Sequence, residues 1–129
     1  MVIPRFVKAA IENSPLKIFG DGSQSRVFCH VNDSVKAILA LAGNNKTIGE
    51  VFNVGGVGEI SILDLARKII KQTSSNSEII FVDYEDAYSR GFEDMARRVP
   101  DISKIKSFIN WEPQLDLNDI VEDVIKSYS

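Results

Sequence analysis

Apolar side chains recur at Ile3, Phe6, Val7, Ala10 and Ile11. That three-and-four spacing is one face of a helix, so the first dozen residues are predicted to form one. Pro4 is tolerated in the first turn, and Asn13-Ser14-Pro15 ends the element. The pattern then changes to the alternation of LKIF, a short strand closed by Gly20. GDGSQS, residues 20–25, is turn chemistry, with two glycines able to take positive φ. RVFCHV, residues 26–31, is β-branched and aromatic enough to predict a strand. Asn32 or Asp33 would cap the next helix, whose broad apolar face carries Val35, Ile38, Leu39 and Leu41. EVFNVGG, residues 50–56, reads as a further strand ending in glycine. Ser61 with Asp64 three residues on resembles a capping box and opens the helix ILDLARKIIKQT. EIIFV, residues 78–82, is the last predicted strand. Residues 83–100 are polar, aromatic and irregular, and too long for a plain connector. Asp101 is predicted to cap a helix through about Phe108, and WEPQLDLND turns into a final helix ending near Tyr128.

Strands and helices therefore alternate, which predicts an α/β (α+β) fold with residues 1–129 as one domain. The strands are too few and too short for a complete doubly wound sheet. A chain of 129 residues, 44% hydrophobic and 26% charged, can bury a core of its own. A net charge of −3 argues against nucleic acid as the main partner, because phosphate contacts need a basic surface. No apolar run approaches the roughly 18 residues that span a bilayer. MVIPRFVKAA lacks the layout of a signal peptide, and the single cysteine cannot form an intrachain disulfide. A cytoplasmic protein without a membrane partner is the expectation. Cys29 and His30, adjacent on a predicted strand, would face opposite ways and could not build a zinc cluster.

Several chemistries fail on spacing. VFNVGGVGEIS has the look of strand, glycine turn and helix. A dinucleotide loop, however, wants G-x-G-x-x-G or a final alanine, and from Gly56 the third small position falls on the capping Ser61. No Gly-Lys pair exists for a phosphate loop, and the only histidine directly follows Cys29, which leaves no triad. Paired carboxylates such as those in VED read as solvated faces. The arginines are more informative. Arg26 follows the turn, and Arg97 and Arg98 follow the long irregular segment; guanidinium groups at such junctions suit bidentate capture of phosphate. They also suit plain surface ion pairs. Phe19, at a strand end beside the turn, could stack on a base or serve as core.

The order of segments is more telling than any one motif. IPRFVKAAIENSPLKIFGDGSQSRVFCHVNDSVKAI, then GEVFNVGGVGEISILDLARKI, then RRVPDISKIKSFINWEPQLDLNDIVEDVI resembles the C-terminal part of NAD-dependent sugar-nucleotide epimerases and dehydratases, the extended short-chain dehydrogenase/reductases. The look is closest to UDP-glucose 4-epimerases and UDP-glucuronate decarboxylases. The resemblance implies a small C-terminal sugar-nucleotide-binding domain without its Rossmann half. It implies that Val2 and Pro4 line the nucleotide pocket, that the Lys17 backbone and Phe19 lie beside the uracil or thymine, and that Arg26 binds the diphosphate. Asn53 would reach toward the nucleotide, Arg98 would contact diphosphate or sugar with Arg97 as its alternative, and Phe92 would stand next to the substrate. The family's glycine-rich NAD loop and Y-x-x-x-K pair have no counterpart here. The expectation is therefore a UDP-sugar or other nucleotide sugar as ligand, no catalytic residue or cofactor in this chain, and NAD in the parent enzyme. The missing half, or self-association through Val35, Ile38 and Leu39, would cover the apolar helix face. A stand-alone interaction domain, or one subunit of a split epimerase, is the competing reading.

Overall fold

In a computed structural model, which describes residues 1–83 and 95–128, the apolar periodicities become helices and two small sheets. The elements run α1 (Val2–Ile11), β1 (Leu16–Phe19), β2 (Ser25–Arg26), α2 (Val31–Ala42), a 3-10 turn (Asn45–Thr47), β3 (Ile60–Ser61), α3 (Ile62–Thr73), β4 (Ile79–Val82), β5 (Arg97–Arg98), α4 (Ser103–Ile109) and α5 (Leu117–Lys126). Helices and sheet are mixed along the chain, the α/β architecture expected. Phe92 lies outside the described residues. The chain divides into two compact units: Met1–Arg26 with Ile60–Arg98 and Val121–Ser129, and Val27–Glu59 with Val99–Ile120. No helix among the described residues is long and apolar enough to cross a membrane.

In the first unit, α1 buries the predicted stripe of Ile3, Phe6, Val7 and Ala10, while Ile11 is exposed. β1 alternates as its sequence does: Leu16 and Ile18 are fully buried, and Lys17 and Phe19 turn the other way. It pairs in parallel with β4, in a register running from Leu16↔Ile79 to Phe19↔Val82. Helix α3 packs beside α1 and against β1, burying Ile62, Leu65, Ala66 and Ile69. Its start is the predicted cap: Ser61 Oγ accepts from the Asp64 N–H at 3.0 Å, and the same hydroxyl donates to Asp64 Oδ2 at 2.8 Å. A second sheet has the order β3-β2-β5.

The second unit is built around Ala37, Ile105 and Trp111, with Cys29, Leu41, Phe52, Val54, Ile102 and Ile109 packed on them. Two expectations fail here. Of the strand predicted at 26–31 only Arg26 is in a ladder, as the second residue of β2, and the strand predicted at 50–56 does not form. Neither 27–31 nor 51–55 has a ladder partner among the described residues; packing, not strand pairing, holds both. Gly56 is buried against the backbone of Phe28, and Gly55 against Pro100. Lys104 fastens the second segment: its Nζ donates to Glu50 Oε2 at 2.7 Å and to the Val51 carbonyl at 2.9 Å, and lies 4.8 Å from the Phe52 ring centre.

Capping also differs. Neither Asn32 nor Asp33 caps α2; His30 does, its Nδ1 accepting from the Asn32 N–H at 3.1 Å. Asp33 is fully buried, and its Oδ2 accepts from the N–H groups of Gln114 and Leu115, each at 2.9 Å. The N-cap of α4 is Ile102 and not Asp101, which sits one residue earlier with its Oδ1 accepting from the Ser103 N–H at 2.9 Å. The Ser103 hydroxyl and N–H together hold the Asp101 carboxyl below its ordinary value. The outward face of α2 is apolar: Val35, Ile38 and Leu39 are 47%, 60% and 67% exposed.

Candidate functional site

The turn at 20–25 determines where Arg26 goes. Asp21 Oδ1 accepts from the Ser23 hydroxyl at 2.7 Å and the Ser23 N–H at 2.9 Å, bonds that lower the Asp21 pKa. Gly22 has φ +77, and a Cβ there would stand 3.0 Å from Leu63 Cβ and 3.1 Å from Ile18 Cγ2. Both conformation and space therefore demand glycine. The carbonyls of Gly22 and Gln24 accept from the Leu63 and Ile62 N–H groups at 3.0 Å, tying the turn to the start of α3. Gln24 Nε2 reaches back to the Phe19 carbonyl at 3.0 Å. The turn is thereby fixed at both ends and hands the chain to β2.

β2 is the middle strand of its sheet. It runs antiparallel to β3 and parallel to β5, with Ser25 opposite Arg97 and Arg26 opposite Arg98. Partners in a ladder stand about 4.8 Å apart across the strands and project from the same face. Arg26 and Arg98, far apart in sequence, thus share one face, and Arg97 shares the other with Ser25. Arg98 is exposed and Arg26 half-buried. One Arg26 nitrogen, Nη1, donates to the Ser25 carbonyl at 2.7 Å and the Met95 carbonyl at 2.8 Å, which steadies the guanidinium. Like charges directly opposite each other in a ladder repel. A diphosphate between them would turn that repulsion into charge-assisted hydrogen bonds.

The remaining candidates distribute as follows. Val2 and Pro4 are half-buried in the first turn of α1, and the Pro4 carbonyl accepts from the Tyr128 hydroxyl at 3.4 Å. Lys17 and Phe19 lie on β1 in the same unit as the two arginines. The β1–β4 ladder fixes a further point: Leu16 and Gly20 bond toward β4 through their N–H groups, so the carbonyl of Lys17 points to the outer edge of β1. Asn53 belongs to the second unit, where its Nδ2 donates to the Asp101 carbonyl at 3.2 Å. The sequence does not announce one further neighbour. The Arg5 guanidinium lies 4.8 Å from the Phe19 ring centre and donates to the Lys17 carbonyl at 3.4 Å. An arginine on the polar side of an amphipathic helix reads as solvated, and nothing local marks it otherwise.

The fold is thus a mixed α/β chain in which a strand–turn–strand sets Arg26 opposite Arg98 in one parallel ladder. The family model for GDP-mannose 4,6-dehydratase matches residues 1–124, and the chain belongs to that family. The chain is 38% identical over 125 residues to UDP-N-acetyl-alpha-D-glucosaminuronate decarboxylase of Bacillus cytotoxicus, covering 97% of this chain and 39% of that protein. Among solved structures, UDP-glucuronic acid 4-epimerase from Bacillus cereus, in complex with UDP-glucuronic acid and NAD, superposes with a TM-score of 0.86 at 31% identity, covering 100% of this chain and 40% of that one. The dTDP-glucose 4,6-dehydratase of Bacillus anthracis, in complex with NAD, gives 0.85 at 26%, covering 99% and 39%. These relatives are NAD-dependent epimerases, dehydratases and decarboxylases of sugar nucleotides. The chain spans about two fifths of their length.

The glycine turn at 55–58 does not fit an NAD loop. Gly55 and Gly56 are packed on Pro100 and on the Phe28 backbone, and the next helix opens only at Ile62. A dinucleotide loop instead opens its helix directly, with backbone left clear for the pyrophosphate.

Proposed function

We propose that this chain is the part of an NAD-dependent sugar-nucleotide epimerase, dehydratase or decarboxylase that binds the nucleoside-diphosphate sugar, with a UDP-sugar as ligand. The branch favoured by the resemblance is that of UDP-glucose 4-epimerase and UDP-glucuronate decarboxylase. The observation that carries the reading is the register of Arg26 with Arg98 on adjacent parallel strands. In this reading those two grip the diphosphate, Phe19 and the Lys17 backbone lie along the base, and Val2 and Pro4 wall the nucleotide. Asn53 and Phe92 enter on the family resemblance alone. NAD and the acid–base pair belong to the enzyme as a whole, so the chain by itself binds and does not turn over. A cytoplasmic location is part of the same reading.

The test is a two-dimensional amide NMR titration of the chain with UDP-glucose and with UDP. Shifts centred on Phe19, Arg26, Asn53 and Arg98 are expected. Arg98→Ala should weaken binding about tenfold or more, the loss that goes with one charge-assisted contact. Silence at millimolar nucleotide favours a stand-alone interaction domain instead.

The proposal also assigns a cover to the outward face of α2. Val31, Val35, Ile38 and Leu39 place four large apolar groups, 66%, 47%, 60% and 67% exposed, along one helix. Contiguous apolar surface of this kind is generally covered. The Rossmann half of a family polypeptide would do so, and a second copy would substitute when the chain stands alone. Sedimentation velocity at high concentration should therefore show dimers or larger species; a clean compact monomer counts against this cover.

A further inference from the structure

We infer that Arg5 gates the base subsite, a proposal that rests on the nucleotide reading above. One exposed side chain occupies both features that reading gives to the base. The guanidinium of Arg5 lies over Phe19 at 4.8 Å from the ring centre, and its Nη2 donates to the Lys17 carbonyl at 3.4 Å. The path between them runs across the outer edge of β1. Leu16 and Ile18 face the core while Lys17 and Phe19 face away, and Arg5 reaches from α1 around that edge to touch both. A base lying along β1 within reach of the Phe19 face and the Lys17 carbonyl has to take the volume the guanidinium fills. A planar guanidinium is a good stand-in for a planar base, since it stacks on an aromatic face and carries in-plane donors.

The contacts are also weak enough to open. The hydrogen bond is at the long end of the range, and an exposed guanidinium over the half-buried Phe19 ring is held by little. Arg5 is therefore a positioning residue: it keeps the edge of β1 covered until a base displaces it. It also sets a threshold for occupancy, because a ligand with no base, such as pyrophosphate, gains nothing from moving it.

The experiment compares the wild-type chain with Arg5→Ala and Arg5→Lys, titrating each with uridine, UDP and pyrophosphate by amide NMR. Arg5→Ala should bind uridine and UDP about fivefold tighter, the factor expected from removing one exposed cation–ring contact. Pyrophosphate affinity should stay within about twofold, as screening of a distant exposed charge predicts. Arg5→Lys, which keeps the charge but not the planar fork, should fall between. In the wild-type chain, the Arg5 side-chain protons should carry an upfield ring-current shift that disappears as UDP is added. If UDP shifts Phe19 and Lys17 in the wild type but Arg5→Ala binds no tighter, the gate is overturned and the nucleotide reading stands. If UDP moves neither residue in either chain, both fall together.

Discussion

Replacing Gly56 by alanine is expected to destabilise the second unit by about 3 kcal/mol, the upper range for forcing volume into packed structure. A Cβ at this position would overlap the carbonyl oxygen of Phe28, and it would also crowd the Phe28 carbonyl carbon and Cys29 Cα. All three obstacles are backbone, so no side-chain rotation can clear the space. Relief requires separating the segment 27–31 from the segment 51–55, and those two segments carry Cys29, Phe52 and Val54 onto the core of Ala37, Ile105 and Trp111. Gly58 supplies the control. It takes φ +86, but a Cβ there meets nothing within 4 Å. Gly58→Ala should therefore cost only about 1 kcal/mol, the penalty of a left-handed alanine. Urea unfolding of the two variants separates space from conformation. Equal costs would mean that the contact with Phe28 is not what demands glycine at Gly56.

That pair of glycines shows where sequence reading succeeds and where it stops. α1 and α3 are legible because their signals are local: an apolar stripe at helical spacing, and a serine with an acidic residue three positions on. β1 and β4 are legible for a similar reason, each being a short apolar or alternating run between turn residues. RVFCHV and EVFNVGG have the same strand composition, yet composition gives only a preference for extended backbone. A strand also needs a partner, and that partner is never local. The same holds for polar groups. Aspartate is a good capping residue, so Asp33 is a fair candidate at the start of α2; His30 takes the role because Asp33 is committed to amides at Gln114 and Leu115. In the candidate site, the turn and its arginine can be read from GDGSQSR. The meeting of Arg26 with Arg98 cannot, since it depends on β5 joining the sheet in one register. Arg5 is invisible in the sequence because its significance lies in what it touches on β1.

Asp33 is the other position where one atom group holds a long-range connection, and its replacement by alanine should cost about 3 kcal/mol. Its Oδ2 is the acceptor for two successive backbone N–H groups, those of Gln114 and Leu115. Those residues form the approach to α5, so the carboxyl pins that approach to the start of α2. Alanine removes the acceptor from both donors at once and leaves a space where a fully buried side chain stood. Asparagine separates the two contributions. Its carbonyl oxygen can take the place of Oδ2, as a weaker acceptor than a carboxylate oxygen. Its amide nitrogen would then replace Oδ1, an atom with no hydrogen-bond partner among the described residues. Because that oxygen already goes unbonded, Asp33→Asn exchanges one unsatisfied polar atom for another, and the expected cost is only about 1 kcal/mol. Hydrogen exchange gives the direct readout. The amides of Gln114 and Leu115 should lose protection in Asp33→Ala and keep most of it in Asp33→Asn. Alanine that leaves both amides protected, or asparagine that is as damaging as alanine, would show that the connection is held by packing around Trp111 and not by this carboxyl group.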